Sequence, residues 1–143
     1  MTPSRDPRPD PTAVAARLRA EILRWNRVMN LISRQDSERQ IDQLLVQCEA
    51  GWVLAQRALA DLVINVATMG YADIGSGNGL PGLLWAAGVR AAGGAGRIWL
   101  VEPRQRRAWF LARQARHLDL GNVEVAPVRW GAPLAGASTA VDM

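Results

Sequence analysis

Between residues 73 and 82 the chain reads Asp73-Ile74-Gly75-Ser76-Gly77-Asn78-Gly79-Leu80-Pro81-Gly82, and Glu102 follows about 20 residues beyond the turn. Closely spaced glycines let a backbone approach a ligand and leave amide groups free to meet it. A carboxylate at the end of the next strand is placed to accept both hydroxyl protons of a ribose. Together these residues point to a nucleoside-containing cofactor, held at the carboxyl ends of parallel strands.

Two cofactors compete for that description. Gly77-x-Gly79-x-x-Gly82 matches the dinucleotide fingerprint, which keeps a small NAD-binding module open. Its register is late, because Gly75 already opens the turn. Asp73 would also stand close to a pyrophosphate. S-adenosylmethionine carries a cationic sulfonium and a cationic amino group instead. A carboxylate in a partly desolvated cleft attracts both, so charge favours this donor over NAD. A purely structural turn is the bland alternative, but glycines at this density weaken a fold unless something requires them.

The surrounding pattern supplies the elements that must position these residues. Asp10-Pro11 opens a helix, with an acid at the N-cap and proline in the first turn. Val14, Leu18, Ile22, Trp25, Met29 and Ile32 then form one apolar stripe. Ser37-x-x-Gln40 resembles a capping box, and starts a second helix with Ile41, Leu44, Leu45, Cys48, Trp52, Ala55 and Leu59 facing inward. Gly51 is expected to bend it. Residues 62–69 carry no clear pattern. A strand ending at Ile74 runs into the glycine turn, and a helix begins near Pro81 with Leu83, Leu84, Ala87 and Val89. Ile98 to Val101 is a buried strand, Arg104 to Leu118 a helix with Ala108, Leu111, Ala115 and Leu118 inside, and Asn122 to Val125 a third strand. The order β-α-β-α-β predicts a parallel sheet in an α/β fold, preceded by N-terminal helices.

Composition narrows the partners. The net charge is +4, and all 17 basic residues are arginine. A positive second half is compatible with nucleic acid and equally with solvated helix faces. Cys48 is the only cysteine, which excludes an internal disulfide and a thiolate metal cluster; no metal is expected. Cys48 reads as a small core residue and His117 as a surface position. No apolar run is long enough to span a bilayer. Met1 to Pro11 lacks the apolar stretch of a signal peptide, so it reads as a flexible tail on a cytoplasmic protein.

The residues also resemble a known family. Asp73 to Gly82 is similar to the first motif of the ribosomal RNA small subunit methyltransferase G family, also called glucose-inhibited division protein B, whose distinguishing part is the Pro-Gly after the third glycine. Trp25-Asn26-Arg27 with Asn30-Leu31 resembles the signature at the end of that family's first helix. Glu102 to Leu111 resembles its acidic strand end, paired basic residues and Phe-Leu. Leu118 to Val123 with Arg129 resembles its third-strand region. The likeness spans about residues 18–131.

That resemblance implies the first β-α-β-α-β half of a Rossmann-like class I methyltransferase sheet over 69–143, behind a helical region over 13–68 and a tail over 1–12. It implies an S-adenosylmethionine-dependent enzyme that methylates guanine N7 of 16S ribosomal RNA, with the RNA or a 30S assembly intermediate as partner. Gly75 and Leu80 would contact the donor, Gly77 and Gly79 would shape the turn, Glu102 would hold the ribose, and Trp130 and Gly131 would border the adenine. Arg129 would be the arginine near cofactor and RNA, the one catalytic-site candidate. Arg104, Arg106 and Arg107 would meet RNA phosphate or form a solvated face.

The sequence departs from the family at three places. Gln43 to Cys48 replaces a second-helix Arg-His-x-x-Asp-Ser, Gly131 replaces a glutamate, and family chains continue past the point where Val141-Asp142-Met143 would begin a fourth strand. A truncated or degenerate paralogue that binds only cofactor or RNA therefore stays open beside the enzyme. Without a fourth strand the free edge of the first would favour association or incomplete folding.

Overall fold

The computed structural model describes residues 8–131. The expectations for the first seven residues and for a strand at Val141-Asp142-Met143 lie outside these. Four helices and three strands follow one another as α1 (Pro11–Met29), α2 (Ser37–Asp61), β1 (Tyr71–Ile74), α3 (Gly82–Ala91), β2 (Ile98–Val101), α4 (Gln105–His117) and β3 (Val123–Ala126). The strands are parallel in the order β1-β2-β3, with Tyr71, Ile98 and Val123 in one row. The chain has the expected α/β fold, a partial Rossmann-like sheet behind two N-terminal helices. Among the described residues no helix is long and apolar enough to cross a membrane.

Asp10 caps α1, its carboxylate accepting from the Thr12 amide at 3.0 Å. Val14, Leu18 and Ile22 are buried as the stripe predicts, but the helix stops at Met29 and Ile32 falls outside it. Asn30 adopts the left-handed conformation, with φ 52°. The buried Asn26 then closes the turn: its Oδ1 accepts from the amides of Leu31 at 2.7 Å and Ile32 at 2.9 Å. Two amides that the helix would have used are satisfied by one side chain, so the chain turns instead of continuing.

The reciprocal capping box on α2 does not form. Asp36 is the N-cap residue in the left-handed region, and Ser37 turns back to donate to the carbonyls of Ser33 and Arg34. Gln40 donates to the Gln35 carbonyl, not to its own helix start. Gly51 does not interrupt α2, which runs unbroken from Ser37 to Asp61. Its absent side chain makes room for Trp85 of α3, whose Cζ2 would stand 3.1 Å from an added Cβ. Gly88 of α3 reciprocates beneath Trp52, and Trp85 donates its indole N–H to the Cys48 carbonyl at 2.9 Å. Arg19 fixes α1 to α2 through two contacts to Asp42, at 2.6 and 3.1 Å.

Tyr71, Asp73, Ile98, Leu100, Val123 and Val125 share the sheet face covered by α3 and α4. Leu83, Ile98, Leu100, Phe110 and Leu111 form the centre of the core with Leu18 and Ile22. The core thus sits directly beneath the glycine turn and holds the carboxyl ends of β1 and β2 in fixed relation.

Candidate functional site

The turn after β1 is held from three sides. The Gly75 and Ser76 amides donate to the Val101 carbonyl at 2.8 and 3.1 Å, and the Gly79 amide donates to the Ser76 carbonyl at 2.7 Å. Ser76 is buried, and its hydroxyl donates to the Asp73 carbonyl at 2.8 Å. Asn78 closes the far side, its Oδ1 accepting from the Leu80 amide at 3.0 Å in an Asx turn.

Gly75, Gly77 and Gly79 all have positive φ, at 76°, 55° and 91°. Their surroundings separate them. A Cβ on Gly79 would sit 2.5 Å from Leu83 Cδ1 and 3.0 Å from Leu111 Cδ2, so this glycine is a packing residue of the core. Gly82 is likewise closed in, by Leu100 and Asp73. At Gly75 an added Cβ meets nothing within 4 Å, and at Gly77 it meets only the Gly75 carbonyl at 3.7 Å. The first half of the turn borders open space; the second half builds the fold.

Glu102, directly after β2, is 4% exposed. One carboxylate oxygen accepts from the Gly77 amide at 3.0 Å and the other from the Arg104 amide at 2.9 Å. It ties the glycine turn to the first turn of α4 and holds its own orientation by two backbone bonds. Each oxygen keeps a further lone pair, so two acceptor positions remain.

Asp73 has a different orientation. Its carboxylate accepts from the Gly82 amide at 3.1 Å, at the start of α3. Burial pushes its pKa above the ordinary carboxylate value, and the Gly82 amide draws it partway back. Leu80 is half-buried against the core rather than projecting from the turn.

A cleft of about 260 Å³ opens beside the turn, lined by Ile74, Gly75, Val101, Pro103, Arg129 and Trp130. Three separated stretches, the ends of β1 and β2 and the segment after β3, meet there. Gly75, Arg129 and Trp130 are brought together there, and Trp130 is 78% exposed at the mouth. Gly131 is exposed with φ 87° and lies just past the lining residues. Ile74, Val101 and Pro103 were not singled out from sequence, although their places next to Gly75 and Glu102 contained the signal. Arg107 donates to the Asn30 carbonyl at 2.6 Å, tying α4 to the end of α1, whereas Arg104 and Arg106 are exposed. Among the described residues no group of His, Cys, Asp and Glu could hold a metal ion.

A family model described as rRNA small subunit methyltransferase G (GidB) matches residues 12–139. The chain belongs to this family. It is similar to the ribosomal RNA small subunit methyltransferase G of Desulfotalea psychrophila, 36% identical over 105 residues that make up 73% of this chain and 42% of that protein. The protein of the same name from Xanthomonas axonopodis pv. citri is 31% identical over 110 residues, 77% of this chain and 45% of the relative. That from Herminiimonas arsenicoxydans is 28% identical over 117 residues, 80% and 49% respectively. The chain spans less than half the length of each of these curated relatives. No solved structure matches. In this member of the methyltransferase G family the motif residues divide their duties: Asn26, Gly79 and Gly82 build the fold, while Gly75, Gly77, Arg129 and Trp130 border open space.

Proposed function

We propose that this chain carries the donor-binding part of an S-adenosylmethionine-dependent ribosomal RNA methyltransferase, and that the acceptor is guanine N7 of 16S ribosomal RNA. The observation that carries the reading is the open side of Gly75 and Gly77, set beside a buried carboxylate at the end of the next strand. The space that a Cβ would fill at Gly75 and Gly77 fits close backbone approach by a ligand. The remaining acceptor positions of Glu102 fit a ribose diol. The exposed indole of Trp130 suits the adenine, with Gly131 beside it. Leu80 and Gly79 support the turn from beneath, and Asp73 supports it by anchoring the start of α3 through the Gly82 amide.

When bound, the sulfonium donor supplies an activated methyl group. Guanine N7 has an in-plane lone pair and no proton to lose, so the chain needs no general base. The protein's share is alignment, which is proximity and orientation. Arg129, at the cleft, is placed to hold an RNA phosphate by paired hydrogen bonds while the base is presented unstacked. Domain limits follow from this reading: 69–143 holds the donor and the helical region over 13–68 braces it, although α1 already begins at Pro11, inside the stretch that the sequence reads as a tail. A 30S assembly intermediate is the proposed partner and the cytoplasm the proposed location.

A second reading, a paralogue that binds donor or RNA without transfer, is favoured by α2. Where the family resemblance calls for basic, imidazole and carboxylate groups, this helix has Gln43, Leu44 and Gln47, and the serine position that follows is the buried Cys48. Transfer of labelled methyl from S-adenosylmethionine to undermethylated 30S particles tests the enzyme reading. Donor binding with label in the RNA supports it; donor binding without transfer selects a donor-binding paralogue, and no donor binding removes the enzyme and leaves only a paralogue that binds RNA.

A further inference from the structure

The seam between the end of α1 and the outer face of α4 carries chemistry that the donor cleft does not use. Trp25 and Trp109 meet edge to face, with ring centres 5.2 Å apart and planes at 72°. Arg113, one helical turn beyond Trp109, places its guanidinium carbon 5.5 Å from the Trp25 ring centre and 5.9 Å from that of Trp109. Arg24 also lies over the Trp25 ring, with its guanidinium carbon 5.7 Å from the ring centre. Arg106 is exposed one turn before Trp109.

Three features set this cluster apart from ordinary packing. Indoles are highly buried on average, yet Trp109 remains 46% exposed. Arg113 makes no ion pair among the described residues, and its Nε has no hydrogen-bond partner there. The local carboxylate, Glu21, is already engaged by Trp25, Gln114 and Arg24 at 3.1, 3.2 and 3.4 Å. The surface therefore offers a rigidly held aromatic face with uncompensated positive charge beside it.

We propose that this face is a stacking platform for an unpaired base of an RNA strand. Trp109 receives the base, Trp25 fixes the Trp109 ring, and Arg113 and Arg106 attract the flanking phosphates. Every base has a π-face, so such a platform tolerates many sequences, and the adjacent charge gives it salt dependence. That the partner is RNA rests on the methyltransferase reading. The platform is nonetheless separate from the donor cleft, because none of its residues lines that cleft.

The test uses the whole 143-residue chain and a short single-stranded RNA containing 5-iodouridine, crosslinked by long-wavelength light and mapped by mass spectrometry. Crosslinks on the Trp109 or Trp25 peptides, suppressed when the same RNA is annealed to its complement, are the expected result. Crosslinks elsewhere only, or equal labelling by the duplex, overturn the proposal without needing any variant. Titration of a fluorescent version should show Trp109→Ala weakening binding roughly tenfold or more, with Trp109→Phe restoring most of it. Arg113→Gln should lower the salt slope by about one. Unchanged RNA affinity in a folded Trp109→Ala chain also overturns the idea. Calorimetry with S-adenosylmethionine separates the two levels. Donor binding without crosslinks at the indoles sinks the platform alone, whereas crosslinks without donor binding sink the methyltransferase reading and leave the platform standing.

Discussion

Replacing Gly75 and Gly79 separately by alanine should give opposite phenotypes, although the two positions lie four residues apart in one turn. Both have positive φ, so each alanine carries a similar strain of about 1–2 kcal/mol. At Gly75 nothing further is added, because the methyl enters open space. At Gly79 the methyl lies 2.5 Å from Leu83 and 3.0 Å from Leu111, both buried. Overpacking of that kind costs about 1–3 kcal/mol more. For a domain of this size the difference corresponds to a Tm gap of roughly 4–12 °C between the two variants. Thermal melting by circular dichroism measures it. Calorimetric titration with S-adenosylmethionine supplies the second axis. Gly75→Ala, the more stable variant, should lose about tenfold or more in donor affinity, which is about 1.4 kcal/mol. Gly79→Ala, measured below its melting range, should keep most of it. Equal destabilisation of the two, or undiminished donor binding by Gly75→Ala, would refute the division of the turn into an open half and a packing half.

Glu102→Gln leaves one oxygen to serve two backbone amides, so either Gly77 or Arg104 loses its acceptor; a stability loss of about 1–3 kcal/mol and a larger proportional loss of donor affinity should appear in the same two assays. Asn26→Ala strands the Leu31 and Ile32 amides and should lower denaturant stability by about 2–4 kcal/mol, with Asn26→Asp recovering part; a change under about 0.5 kcal/mol would contradict the assigned role of that side chain. Burial pushes the Cys48 thiol up to about 11, so iodoacetamide at neutral pH should label it slowly in the native chain and rapidly in guanidinium, as followed by mass spectrometry. Burial alone would raise the Glu21 pKa, but hydrogen bonds from Gln114, Trp25 and Arg24 outweigh it and hold the group below its ordinary value. The stability this carboxylate contributes is therefore complete above the ordinary carboxylate range and lost as pH falls through the folded value. Glu21→Gln should flatten that part of the acid limb of a denaturant-midpoint curve, and an unaltered limb would count against the sign.

The sheet and its helices were legible because their signals are local. β2 runs over the apolar stretch Ile98 to Val101, and the buried face of α4 repeats Ala108, Leu111 and Ala115 at helical spacing, with Leu118 at the C-cap. What escaped were features set by one side chain reaching across sequence. Asn26 ends α1 early because its oxygen reaches two amides five and six residues on, and periodicity carries no trace of that. Gly51 reads as a weak point in a helix until Trp85, 34 positions later, is seen to need the space. In the site, glycine spacing gave the turn but could not separate Gly75 from Gly79, since the difference lies in where Leu83 and Leu111 pack. Arg107 read as either a phosphate contact or part of a solvated face; its hydrogen bond to the Asn30 carbonyl, across 77 residues, is a tertiary event. The convergence of Arg129 and Trp130 with Gly75 was legible only through family resemblance, because nothing local in that segment marks it.

Hydrogen exchange of the whole chain, with and without saturating S-adenosylmethionine, tests the central claim most directly. Donor binding should slow exchange in the peptides covering Gly75 to Asn78, Glu102 to Gln105 and Arg129 to Gly131, while the Gly79 to Leu84 segment, already packed, changes least. Donor bound at measured saturation with those three segments unaltered, or protection confined to another surface, would contradict the account.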